Sequence, residues 1–256
     1  MDTPPHQVES SRDGHVGEVV FSSPPANHLD TDLVEAVADH MEELDHDPRV
    51  RVLILRSEGR HFCAGARLSP GEPPGRTRGR HVYDQADRLF GVETPIVAAV
   101  QGAAVGGGLG LALAADVRVG APTSRLHANF TQLGLHPGFG LTVSLPRVVG
   151  AQWAERLLVG AERLDGETAH RIGLLDELVS QGDLIDGARE LAARYAALAP
   201  VAVSATRATL RRGLREQVRS AMQHERSVQD ELAGTADFAE GLAAAQERRA
   251  PVFGGG

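Results

Sequence analysis

The reading turns on Pro95-Ile96-Val97-Ala98-Ala99-Val100-Gln101-Gly102-Ala103-Ala104-Val105-Gly106-Gly107-Gly108-Leu109-Gly110. It opens as a short apolar run, the pattern of a strand buried on both faces. It then turns to glycine and alanine and leads into residues 111–115, which read as a short buried helix. Small residues at a strand end let a ligand approach the backbone closely. Glycines that open a helix leave N–H groups aimed at whatever lies there, and the helix dipole favours negative charge at that point. A second turn of the same character, His61-Phe62-Cys63-Ala64-Gly65-Ala66-Arg67-Leu68, follows the apolar run 50–55. Side by side, two such turns would form an oxyanion hole for a polarised carbonyl. The same glycines also suit tight packing of a helix on a sheet, and spacing alone leaves both readings open. Phosphate binding fits less well. Gly106 to Gly108 lack the Lys-Ser/Thr of a phosphate loop, and the spacing of Gly106, Gly108 and Gly110 departs from the dinucleotide fingerprint.

Outward from these turns, residues 16–21 read as a strand closed by Pro24 and Pro25, and residues 1–13 as a loose start. Asp30 reads as the N-cap of a helix running to about residue 44, with Leu33, Val34, Val37 and Met41 on one face. Residues 69–80 carry three prolines and three glycines and predict a mobile loop, followed by a helix over 81–90. Short strands are expected near 116–119 and 124–128. Beyond about residue 148 the pattern is nearly all helix: 151–159, 165–171, 184–198, 201–214, 216–232 and 235–249. The expected organisation is a strand-and-helix core over 1–180 and a helical region over 181–256.

The net charge of -8 gives no basis for binding nucleic acid or an anionic membrane. The single cysteine, Cys63, excludes an internal disulfide and fits a reducing cytoplasm. The polar start lacks a signal-peptide pattern, and no apolar run is long enough to span a bilayer. The 11 histidines are scattered without ligand spacing, so no metal site is expected.

Five segments in order resemble the crotonase (enoyl-CoA hydratase/isomerase) superfamily. They are Pro24-Pro25-Ala26-Asn27, Phe62-Cys63-Ala64-Gly65-Ala66, Pro95 to Gly102 with the triple glycine, Leu133-Gly134-Leu135-His136-Pro137-Gly138-Phe139-Gly140, and Glu240-Gly241 followed by Glu247-Arg248-Arg249-x-Pro251-x-Phe253. The resemblance implies an α/β spiral of ββα units with a C-terminal helical trimerisation region, and a homotrimer or dimer of trimers. It implies a thioester ligand, on coenzyme A or a carrier protein's phosphopantetheine, and no further cofactor. It places the oxyanion donors at the backbone N–H groups of Ala66 and Gly107. Ala64, Gly65, Arg67, Gly106 and Phe130 would line the ligand, and Phe253 would close over it, either in its own subunit or in a neighbouring one.

The same resemblance exposes a gap. Where hydratases of the family carry two glutamates, this chain has Gly110 and Phe130; an acidic position used by some isomerases is Gly138; and the usual aspartate after the first Ala-Gly-Ala is Arg67. Hydration of a double bond needs one group to activate water and another to deliver a proton, and glycine and phenylalanine do neither. Substitutes are sought at His136 on the Leu-Gly turn, and at Tyr83 and Asp87, which share a helix face by i, i+4 spacing. Each also has a purely structural reading. So do Asn129, Thr131 and Gln132, while His61 and Cys63 read as packing residues. Arg76, Arg78 and Arg80, with Arg67, read either as a solvated basic loop or as partners for phosphates. Three functions follow: a lyase or isomerase running enolate chemistry without the two glutamates, with decarboxylation, double-bond isomerisation and carbon–carbon bond making or breaking all open and decarboxylation the most economical because departure of CO₂ generates the enolate; a non-catalytic acyl-thioester binder; and a hydratase with relocated acid and base.

Overall fold

A computed structural model describes residues 6–68 and 74–255. In chain order the elements are β1 (Gln7–Asp13), β2 (Val16–Ser22), α1 (Thr31–Asp45), β3 (Val52–Ser57), β4 (Arg76–Thr77), β5 (Arg80–His81), α2 (Val82–Leu89), β6 (Ile96–Val100), β7 (Ala103–Val105), α3 (Gly107–Ala114), β8 (Val117–Gly120), β9 (Arg125–His127), α4 (Leu141–Leu158), β10 (Arg163–Asp165), α5 (Gly166–Arg171), β11 (Glu177–Leu178), α6 (Leu184–Ala196), α7 (Pro200–Leu210), α8 (Leu214–Leu232) and α9 (Ala236–Glu247). The main sheet has the order β1-β2-β3-β6-β8-β11. Its first pair is antiparallel and the rest parallel. A second sheet, β10-β9-β7, carries the short strands that follow β6 and β8. The chain thus steps from the main sheet to the second sheet and then into a helix, as in β6-β7-α3.

The apolar runs are continuous because both faces of the main sheet are covered. Leu53 and Leu55 of β3, with Ile96, Ala98 and Val100 of β6, face a core shared with α1, α2, α3 and α4. Val52, Ile54, Val97 and Ala99 point the other way and meet Leu184, Ala188, Leu191 and Ala192 of α6. Asp30 caps α1 by accepting from the Leu33 amide at 2.8 Å, a contact worth about 1 kcal/mol in typical proteins.

Several local expectations are corrected. The start is not loose from residue 7: Ser11, Glu9 and their neighbours pair along β2 for seven residues. α3 begins at Gly107 rather than 111, so Gly107, Gly108 and Gly110 lie inside the helix and Gly106 is its N-cap. α4 begins at Leu141 and is broken at Gly150, where φ is 76°. Strands β10 and β11 interrupt the region expected to be helical. Of the expected mobile loop, residues 69–73 lie outside the described residues, and the rest forms the hairpin β4-β5.

Candidate active site

The two glycine turns are bound to each other through their backbones. The Cys63 amide donates to the Ala103 carbonyl and the Val105 amide to the Cys63 carbonyl, each at 2.9 Å. A Cβ on Gly108 would lie 2.3 Å from the Cys63 carbonyl oxygen, and one on Gly65 would lie 2.9 Å from that of Val105. Both positions need glycine for this approach. Asn27 holds the first turn from behind, its side-chain amide donating to the Glu58 and His61 carbonyls at 2.7 Å. His61 accepts from the Ala103 amide at 3.2 Å, which fits its reading as a structural residue. Cys63 is fully buried, and burial pushes its thiol up to about 12, so it stays protonated and packs.

Gly106 takes φ 53° and ψ -120° and turns the chain into α3. Its own amide donates to the His127 carbonyl at 2.8 Å, and the Leu109 and Gly110 amides return to its carbonyl. The Gly107 amide, at the first position of the helix, has no backbone acceptor among the described residues, nor has the Ala66 amide. Both residues line a cavity of about 600 Å³, together with Ala64, Gly65, Arg67, Gly106 and Phe130. All of the ligand-lining positions expected from sequence meet there except Phe253, which is 42% exposed near the C-terminus and outside the cavity wall.

The far wall is built from side chains. Phe130, Leu133, Leu135 and Phe139 supply apolar surface, and Tyr83 and Gln229 a polar pair. The Tyr83 hydroxyl donates to Gln229 Oε1 at 2.8 Å, and burial pushes the phenol well above its ordinary range. The Gln229 amide in turn donates to the His136 carbonyl at 2.7 Å. Behind Tyr83, the buried His81 caps α2 by accepting from the Tyr83 amide at 3.1 Å. Burial, with Arg226 nearby, lowers the His81 imidazole to about 4.

The positions that lack acids are also filled positions. A Cβ on Gly110 would meet three atoms of the Phe139 side chain at 2.7–2.8 Å. A Cβ on Gly138 would meet the Tyr83 hydroxyl at 1.8 Å and Gln229 Nε2 at 2.7 Å.

Of the three substitute acid/base residues expected from sequence, the structure brings Tyr83 to the cavity and not the other two. His136 turns its Nδ1 to the Pro137 carbonyl at 2.7 Å and stacks edge-on with His224. Asp87 shares a helix face with Tyr83 but is taken by Arg215 and Arg219 at 2.9 and 3.0 Å. Burial opposes its ionisation, yet the hydrogen bonds from the two arginines outweigh burial and hold the carboxyl below its ordinary range. Of the basic residues, Arg67, Arg76 and Arg78 line the cavity. Arg76 pairs with Asp230 at 2.9 Å, whereas Arg78 is 84% exposed and 3.8 Å from Asp32. Arg80 does not line it and binds Asp32 and Glu35 on α1. Asn129 lines the cavity; Thr131 instead donates to the Val159 carbonyl at 3.2 Å.

Two residues with roles here were missed. Gln229 lies on α8, 146 positions from the tyrosine it holds. Glu225, one turn earlier and fully buried, accepts from the Gly140 amide at 2.8 Å and from the Thr142 hydroxyl at 2.6 Å. Burial raises its carboxyl, and those hydrogen bonds oppose the rise. The available signal was spacing: Glu225 and Gln229 continue, at i+3 and i+4 steps, the face begun by Leu214, Val218 and Met222.

A family model described as enoyl-CoA hydratase/isomerase matches residues 11–256. The chain is 38% identical over 253 residues to a "probable enoyl-CoA hydratase" of Mycobacterium tuberculosis, covering 93% of this chain and 96% of that one. It is 31% identical over 250 residues to a short-chain-enoyl-CoA hydratase of Clostridium acetobutylicum, covering 95% and 96%. Among solved structures, an enoyl-CoA hydratase/isomerase from Pseudoalteromonas atlantica superposes with a TM-score of 0.87 at 31% identity, covering 96% of this chain and 99% of that one.

Proposed function

Because the chain belongs to the enoyl-CoA hydratase/isomerase family and has its crotonase fold, we propose that the cavity binds an acyl-thioester whose carbonyl oxygen sits between the Ala66 and Gly107 amides. Two amides with no backbone acceptor among the described residues, both on residues of one cavity wall and on turns locked to each other, carry this reading. A pre-set pair of donors stabilises charge as it develops on the thioester oxygen and so stabilises an enolate. The thioester is carried by coenzyme A or a phosphopantetheine arm, with Arg67, Arg76 and Arg78 on the wall nearest to meet its phosphates. No other cofactor is needed for this chemistry.

The reaction is not standard hydration. Phe139 stands against Gly110, Tyr83 against Gly138, and Phe130 lies on the wall, so three places for a carboxylate hold neutral groups. That leaves chemistry in which the enolate comes from breaking or moving a bond: decarboxylation, double-bond isomerisation, or carbon–carbon bond making or breaking. Tyr83 is the phenol within reach. A non-catalytic thioester binder is the second reading, favoured by the placement of His136 and Asp87 away from the cavity. The assembly proposed is a homotrimer or dimer of trimers in the cytoplasm, with Leu198, Val201 and Leu210 on the exposed surface as contact residues.

The test is incubation of the purified protein with crotonyl-CoA in D₂O, followed by mass spectrometry. Intact crotonyl-CoA, with turnover of another acyl-CoA in a panel that includes malonyl-CoA, is the expected result. Rapid hydration would show that a substitute acid–base pair exists and overturn the reading.

A further inference from the structure

Each of the two amides assigned to the thioester oxygen belongs to a peptide group whose other end is a carbonyl. A trans peptide is planar, with its carbonyl and its N–H on opposite sides, so whatever holds the carbonyl aims the N–H. The Gly106 carbonyl, joined to the Gly107 amide, accepts from the Leu109 and Gly110 amides at 3.0 and 3.2 Å. The Gly65 carbonyl, joined to the Ala66 amide, also accepts twice: from the Leu29 amide at 2.9 Å and from His28 Nδ1 at 3.2 Å. Three of these four donors are backbone groups, fixed by α3 and by the bridge between Leu29 and Ala66. The fourth is a side chain, and it can be changed without touching the main chain.

A carbonyl only accepts, so Nδ1 of His28 carries the proton. Burial lowers the His28 imidazole below its ordinary range; the bond to Gly65 opposes the fall, and the nearby Arg67 and His61 add to it. The ring is therefore neutral near pH 7, in the Nδ1–H form. His28 is half-buried and does not line the cavity, so it acts there through the Gly65–Ala66 peptide. A hydrogen bond made to the carbonyl of an amide draws electron density from its nitrogen and strengthens the N–H as a donor, by about 10–30% for each bond added to a chain.

We infer, on the basis of the proposed acyl-thioester function, that His28 is a positioning residue for the oxyanion hole: by donating to the Gly65 carbonyl it aims and strengthens the Ala66 N–H. The Gly107 side of the hole is set by helix backbone alone, and the Ala66 side carries the one adjustable donor.

The test is the infrared carbonyl stretch of butyryl-CoA carrying ¹³C at the thioester carbon, bound to the wild type, His28→Asn, His28→Gln and His28→Leu. The asparagine side-chain nitrogen stands where Nδ1 stands and can donate to Gly65; leucine has no donor, and that of glutamine lies one bond further out. The wild type is expected to shift the stretch to lower frequency. His28→Leu and His28→Gln should lose about 10–30% of that shift, and His28→Asn should keep it. ¹⁵N spectra of the wild-type histidine rings, with His28 assigned by its loss in His28→Asn, should show the proton on Nδ1; this arm carries the test if the leucine and glutamine variants do not fold. An undiminished shift on His28→Leu, an equal loss on all three variants, or a proton on Nε2 in place of Nδ1 overturns the inference and leaves the proposed function standing. No shift on the wild type overturns both.

Discussion

The cavity has two ends made in different ways. One is built from backbone: two turns, locked to each other by main-chain hydrogen bonds, bring Ala66 and Gly107 to the wall, with no backbone acceptor for either amide among the described residues. The other is built from side chains far apart in sequence, with Tyr83 on α2, Gln229 on α8, and Phe130 and Phe139 between them. The backbone end depends on close approach and tolerates little change. The side-chain end can be rebuilt residue by residue while the turns stay as they are. On the proposed function, a chain could keep the means of polarising a thioester while altering what happens at the acyl group.

Gly107 should show the largest effect, because there the amide alone should matter. Proline is accepted at the first position of a helix and lacks the N–H. Alanine adds the same Cβ and keeps it; that Cβ meets the flexible end of Leu29 at 2.9 Å. Gly107→Pro should lose about 10²–10³ in kcat/KM relative to Gly107→Ala, with circular dichroism checking the fold of each. Equal activities would show that the amide is not used.

At the other end the largest effect should be on stability. Gly110→Ala forces Cβ into the Phe139 side chain, an overpacking that costs about 1–3 kcal/mol. Phe139→Ala opens a cavity and costs about 3–5 kcal/mol. In thermal or denaturant unfolding the double variant should lose clearly less than the sum of the two. Strict additivity would mean that Phe139 does not hold that space.

A smaller effect should appear with pH. The buried His81 imidazole is lowered from 6.5 to about 4, so the folded protein favours its neutral form. Below 6.5 the unfolded chain takes up a proton that the folded chain refuses, so this contribution to stability is present above pH 6.5 and is lost as pH falls to about 4. His81→Asn keeps an N-cap acceptor for the Tyr83 amide without titrating. Its melting temperature should fall less than that of the wild type over this window. Parallel curves would assign the acid sensitivity to other groups.

The smallest effect is expected at Arg78, which is 84% exposed. Arg78→Ala should change stability by less than about 0.5 kcal/mol. It should weaken coenzyme A thioester binding about twofold at low salt, with the difference gone at high salt. A loss that salt does not screen would mean a direct, desolvated contact.

The same contrast explains what could be read in advance. Strands β2, β3, β6 and β8, the Asp30 cap and the glycine turns were legible because each is a local pattern with a local cause: apolar runs buried in the sheet, a side chain returning to the Leu33 amide, a carbonyl 2.3 Å from where a Cβ would be. β1 escaped because Gln7 to Asp13 is polar and owes its form to β2. The far wall escaped for a stronger reason. Tyr83 could be proposed from its helix, but nothing local to Gln229 or Glu225 says that α8 crosses the Leu135 to Gly140 turn. Asp87 misled because its helix face was right and its partners, Arg215 and Arg219, lie more than 120 positions away.

The central claim is that the backbone end polarises a thioester whatever the acyl end then does. It is tested most directly by the infrared carbonyl stretch of butyryl-CoA carrying ¹³C at the thioester carbon, bound to the wild type and to Gly107→Pro. The account predicts a stretch shifted to lower frequency on the wild type and returned towards its value in water on the variant. A bound carbonyl with an unshifted stretch on the wild type would contradict it.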